Sequence, residues 1–332
     1  MDFTLTQEQD QFRAAVRSFV EKEVAPAARE LDERGEFPRD LFRRCAANGY
    51  FALRYPEDQG GMGADFLTFC LMAEELARGS LSLAAAVSMQ ALMGTEFVYR
   101  FGSEDHRKRL LQPALRGEKI GTIAMTEPDF GSDLGGITTR AERTDSGWAL
   151  TGRKMWITSA TIADFFTVAA KTDPQAGFRG LDLFLVEKGA PGLKVGRQIE
   201  KLGVRASETS ELILDRVVVP DENLLGGQGT GYKSLGRILG EIRVMTGALA
   251  LGLGQAALDA SVRYANERVQ FGKPIGAFQA IAHKIAEMGT ELEAARGLVY
   301  RAAWGIDQGQ QDMRLASMAK LFATEAANRI AD

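Results

Sequence analysis

The chain is poor in the residues that build metal and disulfide centres. Among 332 residues there are two cysteines, Cys45 and Cys70, and two histidines, His106 and His283. Two cysteines in a chain of this length do not make a disulfide framework, and they fit a reducing compartment. A site with three histidine ligands cannot form within one chain, and no Cys-x-x-Cys or His-Glu-x-x-His spacing occurs. A basic excess is also missing. Lys plus Arg number 40 against 44 Asp plus Glu, a net charge of −4, so nothing marks a nucleic-acid groove. No long apolar run stands out either. The least polar stretch, Leu81 to Gly94, falls short of the roughly 20 residues that a bilayer requires, so no membrane span is expected. The amino-terminal end, with Asp2 ahead of an acidic helical pattern, does not read as a targeting segment. The cytoplasm, bacterial by default, is the expected location.

What is present is ordinary globular material. Hydrophobic residues are 45% and charged residues 25%, ample for a core and unlike a disordered chain. At about 150 residues per domain the length suggests two or three domains.

The hydrophobic period changes twice along the chain. Thr6 with Gln9 resembles a capping box, and Phe12, Val16, Phe19, Val20 and Val24 follow at helical spacing until Pro26 ends or bends the element. Helices are expected from Pro38 to Asn48, Phe66 to Arg78, Leu81 to Phe101 and Asp105 to Arg116, with a loop at Pro56 to Gly63. The middle third is β-rich: Trp148 to Thr158 after an Asp145-Ser146-Gly147 turn, Phe165 to Lys171, Leu181 to Glu187, and Leu212 to Val219. No helices separate these strands, so a mixed or antiparallel barrel-like domain is expected. Helical patterns return from Tyr232 to Arg268, Ala277 to Ile306, and Met313 to the last residue. The reading is an α+β multidomain chain: an N-terminal helical domain at 1–118, a middle antiparallel β-barrel-like domain at 119–225, and a C-terminal helical bundle at 226–332. In the last helix Phe322, Ala326 and Ile330 stay in register up to Asp332 without a Gly or Pro stop, so the bundle is expected to be incomplete.

Two glycine-rich segments invite a cofactor reading. Gly252-Leu253-Gly254-Gln255-Ala256-Ala257 has the GxGxxA form, but it lies within a helical run with no strand before it and no acidic residue about 20 positions on. Small residues that let two helices approach are the better explanation. Gly226 to Gly231, at the β-to-helix junction, reads as a mobile connector. A third segment, Thr126-Glu127-Pro128-Asp129-Phe130-Gly131-Ser132-Asp133-Leu134-Gly135-Gly136, follows a strand. It is dense in backbone donors suited to polar ring edges or phosphate, although its composition alone also describes an ordinary turn.

That third segment, with Ala124 and Met125 before it, resembles the first signature of the acyl-CoA dehydrogenase family, flavoproteins that oxidise acyl thioesters. Three more blocks agree in order and spacing: Pro56 to Gly63, Lys154-Met155-Trp156-Ile157-Thr158, and Glu267 to Ile275 with Gln279. The resemblance implies FAD as cofactor. It implies that Ile123, Met125, Thr126, Gly131 and Ser132 meet the flavin, Met125 and Thr126 on its pyrimidine side. Trp156, Ile157 and Thr158 would lie against the isoalloxazine, with Thr158 near N5; by itself Trp156 also reads as a core aromatic. Arg268, Gln270, Phe271, Phe278 and Gln279 would reach the diphosphate and adenosine half in a neighbouring subunit. An Arg fork suits phosphate oxygens, while the plainer reading of Arg268 is an ion pair with Glu267 or Asp259. Ser132, Gly240 and Arg243 would touch substrate. Phe130 departs from the family's small residue, so its ring is expected to narrow the pocket or reshape the loop.

The implied reaction removes the proton α to the thioester carbonyl, passes hydride from the β-carbon to flavin, and leaves a trans-2-enoyl thioester. The implied partners are acyl-CoA, an electron-transfer flavoprotein, and further copies of the chain in a homotetramer, a dimer of dimers. The base is not identified. The family's usual Tyr-Glu-Gly stretch is expected beyond Asp332, and the alternative position is Ile242. Glu241 stands one residue early, a rotation of about 100°, and is expected to be a surface carboxylate beside Arg237. A flavin oxidase or monooxygenase on the same fold, and a non-catalytic thioester-binding relative, remain alternatives.

Overall fold

A computed structural model describes residues 4–332, so Asp2 lies outside the described residues. Eight helices come first: α1 (Gln7–Phe19), α2 (Ala25–Arg34), α3 (Arg39–Ala47), α4 (Phe66–Gly79), α5 (Leu81–Ser88), α6 (Glu96–Phe101), α7 (Glu104–His106) and α8 (Gln112–Leu115). Eight strands follow: β1 (Gly121–Ala124), β2 (Arg140–Thr144), β3 (Gly147–Thr158), β4 (Phe165–Lys171), β5 (Leu181–Glu187), β6 (Leu193–Val195), β7 (Thr209–Val219) and β8 (Leu224–Leu225). The chain then forms α9 (Gly231–Glu267), a small hairpin of β9 (Val269–Gln270) and β10 (Lys273–Pro274), α10 (Gln279–Asp307) and α11 (Met313–Ala331). The order helical, sheet, helical is the one the sequence pattern implies.

Local chemistry explains several boundaries. The Thr6 side chain accepts from the Gln9 amide and Gln9 returns the bond, so the capping box forms. Pro26 does not end the helical run. A π-helical turn over Val20–Val24 precedes it and the chain continues into α2, the looser turn accommodating a residue that lacks an N–H. The Leu81 run extends past Gly94 through a π turn to Phe101. At 21 residues and mean hydropathy 1.3 it has the length and composition to cross a membrane, but 78% of that window is buried inside the protein, which is how a core helix reads.

The described residues divide into two compact units. One comprises the described residues up to Arg29, with Ala64–Ala84 and Gly240–Asp332. In it α4 is buried over almost its whole length. A side chain at Gly252 would overlap the Glu74 carbonyl, and one at Gly247 would press on Val299. The GxGxxA segment is therefore a close helix approach within α9. A buried polar network sits here: Arg296 bonds Glu74 (2.9 Å) and Gln255 (3.0 Å), and the Tyr300 hydroxyl donates to Glu74 (2.7 Å).

The other unit comprises Glu30–Gly63 and Ala85–Leu239. Its sheet runs β6-β7-β3-β2-β4-β5-β8, with β1 paired to β4. Most pairs are antiparallel, while β1 and β2 run parallel to β4. Trp148, Leu150, Phe166, Phe184, Leu212 and Val217 pack its core. The connector at Gly226–Gly231 is not loose. Buried Asp182 on β5 accepts from the amides of Gly229 (2.9 Å), Thr230 (3.1 Å) and Gly231 (2.9 Å). A helix start exposes unsatisfied N–H groups, and a carboxylate 49 residues upstream supplies the acceptor.

Candidate functional site

The site in the sheet-bearing unit grows from the end of β1. Ile123 is buried in that strand, paired with Thr167 of β4. After Ala124 the chain leaves the ladder, and Met125 and Thr126 are half-buried. The Thr126 carbonyl accepts from the Met155 amide (2.8 Å), and the Met125 carbonyl accepts from the Lys154 ammonium (3.0 Å). These bonds dock the start of the glycine-rich loop onto β3. A tight turn follows, closed by Glu127 N–H on the Phe130 carbonyl (2.8 Å). The Phe130 ring is folded onto Gly136, where any side chain would overlap it, so the loop packs around its own phenylalanine. Gly131 lies beside the Thr126 methyl, and Ser132 is exposed on the loop.

Trp156 is the unusual residue of β3. The pairing of β3 with β7 slips between Lys154 and Ile157, which makes a β-bulge. In that bulge Trp156 has φ +62°, a left-handed conformation costly for a bulky side chain. Its indole is nevertheless 54% exposed, not a core aromatic. Ile157 returns to the core, and the Thr158 carbonyl accepts from the Thr122 hydroxyl (2.7 Å), tying β3 back to β1. Met125, Thr126, Gly131, Trp156 and Thr158 are thus held on two mutually bonded segments.

Beneath them lies a pair of charges that sequence reasoning missed. Lys154 is 0% exposed and Glu127 3%, and they meet at 2.8 Å. Glu127 also accepts from the Thr138 amide (2.7 Å) and hydroxyl (2.8 Å) and from the Thr139 amide (2.9 Å). Burial alone would raise the Glu127 carboxyl, but attraction to Lys154 and these bonds bring it down to about 2. Burial lowers the Lys154 ammonium to about 8, against the pull of Glu127. A lysine in the middle of a β-rich run was the available signal. Buried Lys171 likewise donates to the Gly135 carbonyl (2.9 Å) and to that of Gly177, fixing the far end of the loop.

The other site residues belong to the helical unit. Arg268 follows α9 and leads into the hairpin, where Phe271 (φ +50°) and Gly272 (φ +76°) form a two-residue turn. Phe271 is 93% exposed and meets Phe278 edge-on with ring centroids 6.0 Å apart. Lys273 lies 4.4 Å over the Phe278 ring. Arg268, Gln270 and Gln279 are exposed. Asp259 is taken by Arg78 (2.8 Å), so it is not the partner of Arg268, whose guanidinium pairs with no carboxylate among the described residues.

On α9, Gly240 is buried against Gln311 and Met313, and Arg243 is half-buried. Glu241 corrects the sequence expectation: it is 3% exposed, not a surface carboxylate. Residues 240–251 of this helix are apolar on more than one face, so a rotation of about 100° from Ile242 still points inward.

Comparison with known proteins yields one family. Its models match residues 6–118 (acyl-CoA dehydrogenase, N-terminal domain), 122–217 (middle domain) and 229–332 (C-terminal domain). The chain is 52% identical to the benzylmalonyl-CoA dehydrogenase of Aromatoleum aromaticum over 333 residues, 100% of this chain and 88% of that one. It superposes on butyryl-CoA dehydrogenase from Megasphaera elsdenii with TM-score 0.96 at 37% identity, covering 99% of this chain and 87% of that one. PigA with FAD and proline gives TM-score 0.95 at 32% identity, covering 99% and 86%.

Proposed function

The chain belongs to the acyl-CoA dehydrogenase family, and from that premise we propose that it oxidises an acyl-CoA to the trans-2-enoyl-CoA and passes the electrons to an electron-transfer flavoprotein. FAD is the cofactor of the family, and when bound it accepts the hydride from the β-carbon. The observation that carries the reading is Trp156, an indole held out of the sheet at φ +62° beside the Met125–Thr126 segment. An exposed aromatic kept at a conformational cost is the residue to expect where a flat ring must be covered. Thr126 adds a backbone N–H that bonds nothing among the described residues.

Ile123, Met125, Thr126, Gly131, Ser132, Trp156, Ile157 and Thr158 are proposed to hold the isoalloxazine. Arg268, Gln270, Phe271, Phe278 and Gln279 are proposed to hold the adenosine diphosphate of another copy, in a homotetramer with domains at 1–118, 119–225 and 226–332. The free Arg268 fork and the exposed Phe271 ring support that assignment. Ser132, Gly240 and Arg243 are proposed to orient the thioester. The α-proton needs a carboxylate in a dry pocket, where its pKa rises toward neutrality. Of the acidic residues on α9, Glu241, Asp259 and Glu267, Glu241 alone is buried.

The decisive experiment is steady-state turnover with straight-chain, dicarboxylic and aryl-substituted acyl-CoAs, using a one-electron ferricenium acceptor and an oxygen electrode in parallel. The expected result is acceptor-dependent loss of two hydrogens from one thioester with little oxygen uptake. Oxygen uptake matching turnover would instead make the chain an oxidase, and binding without turnover would make it a non-catalytic relative.

The hairpin gives a separate test. Phe271→Asn creates Asn-Gly, the pair best suited to two left-handed turn positions. It is expected to stabilise the chain by about 1 kcal/mol in thermal unfolding, because a ring 93% exposed loses little burial. FAD affinity is expected to fall several-fold in a flavin titration. Unchanged affinity would remove Phe271 from the site.

A further inference from the structure

The fully buried ion pair under the loop is costly. Two charges are withdrawn from water in a sheet core where apolar side chains of similar size would pack without that penalty. Its geometric consequence falls on one peptide. Lys154 holds the Met125 carbonyl (3.0 Å) and Met155 holds the Thr126 carbonyl (2.8 Å), so both oxygens are turned toward β3. Among the described residues no peptide bond is cis, and in a trans peptide the N–H of one residue points opposite to the preceding C=O. The Thr126 N–H is therefore directed away from β3, unbonded, on the side opposite Lys154.

We propose that Lys154 and Glu127 are positioning residues that turn the Met125–Thr126 peptide outward as a donor to the pyrimidine edge of the flavin, and so raise the flavin's reduction potential. This rests on the flavin reading of the site and assigns regulation of the cofactor within it. Glu127 supplies the anchor. Its oxygens are satisfied by Thr138 and Thr139 on the far side of the loop, so the ammonium is fixed between the carboxylate and the Met125 carbonyl. A cation on a carbonyl polarises its amide and strengthens the N–H as a donor. Reduction places added negative charge on the flavin's pyrimidine edge, so a stronger donor there favours the reduced form.

The test compares the FAD-reconstituted 332-residue chain with three variants, by FAD titration and by midpoint potential against redox dyes. Glu127→Gln with Lys154→Met removes both charges together and leaves neither buried alone. It is expected to bind oxidised FAD about tenfold more weakly and reduced FAD about a hundredfold more weakly. That tenfold difference lowers the potential by about 30 mV for a two-electron couple. Lys154→Arg keeps the charge and is expected to recover most of both values. Glu127→Asp keeps both charges but draws the ammonium from Met125, and is expected to bind oxidised FAD about threefold and reduced FAD about tenfold more weakly; it serves if the double variant does not fold. Variants that fold and keep the parent's FAD affinity within twofold and its potential within about 10 mV overturn the proposal and leave the flavin site standing. A parent chain that takes up no FAD overturns both.

Discussion

Trp156→Ala and Trp156→Gly are both expected to lose FAD affinity by at least about tenfold, with the glycine variant the more stable of the two by about 1 kcal/mol. The first effect follows from the exposure of Trp156, 54% of whose surface stands free of the protein, next to Met155, which bonds the Thr126 carbonyl. Stacking of a flat heterocycle on such a ring is worth about 1–3 kcal/mol, and about 1.4 kcal/mol is tenfold. The second follows from φ +62°. Alanine is ordinarily favoured over glycine within a strand because glycine loses more freedom on folding. In the left-handed region the order reverses, since the alanine methyl crowds the following carbonyl. Denaturant unfolding of the two variants measures one effect and flavin titration the other. An alanine variant as stable as the glycine variant would mean that the bulge relaxes and holds no strain for the cofactor.

Removing one member of the Glu127–Lys154 pair is expected to cost about 3–5 kcal/mol of folding stability, because the other charge is left buried alone. Removing both should cost much less than the sum of the single changes. The pH dependence separates the two ends. The Glu127 carboxyl lies near 2 in the folded chain against an ordinary 4.5, so the folded state holds its proton less tightly than the unfolded state. Its contribution is fully present above about pH 4.5 and is lost as pH falls toward about 2. The stability gap between the parent and Glu127→Gln should therefore narrow between neutral pH and pH 3, as read by denaturant midpoints. The Lys154 ammonium gives the same direction in a higher window, through a penalty and not a gain. Its lowered value, about 8 against 10.5, means that burial opposes its charge, and the penalty is relieved as pH rises through that interval.

Regular elements were legible wherever local rules set them. The Thr6–Gln9 box, the strand at Phe165–Lys171 and the three long C-terminal helices lie where period and capping put them. The points that escaped depend on residues far apart in sequence. Asp182 ties the start of α9 from another strand, a partnership no window of sequence contains. Glu241 is buried because its helix segment has little solvent face, which a single position's spacing does not reveal. The four family blocks drew attention to Trp156 but gave no hint that it sits in a bulge at positive φ, since a strand pattern assumes an unbroken period of two. Lys154 and Glu127 stood in view within two of those blocks. Their meeting at 2.8 Å becomes visible only when the loop folds back on β3.

The measurement that tests the central claim most directly is an anaerobic visible spectrum of the purified, FAD-loaded chain before and after addition of each acyl-CoA in the panel. The account predicts bound flavin whose long-wavelength absorbance bleaches with one class of thioester, with formation of the enoyl product. Bound flavin that no acyl-CoA bleaches, or a chain that retains no flavin, would contradict it.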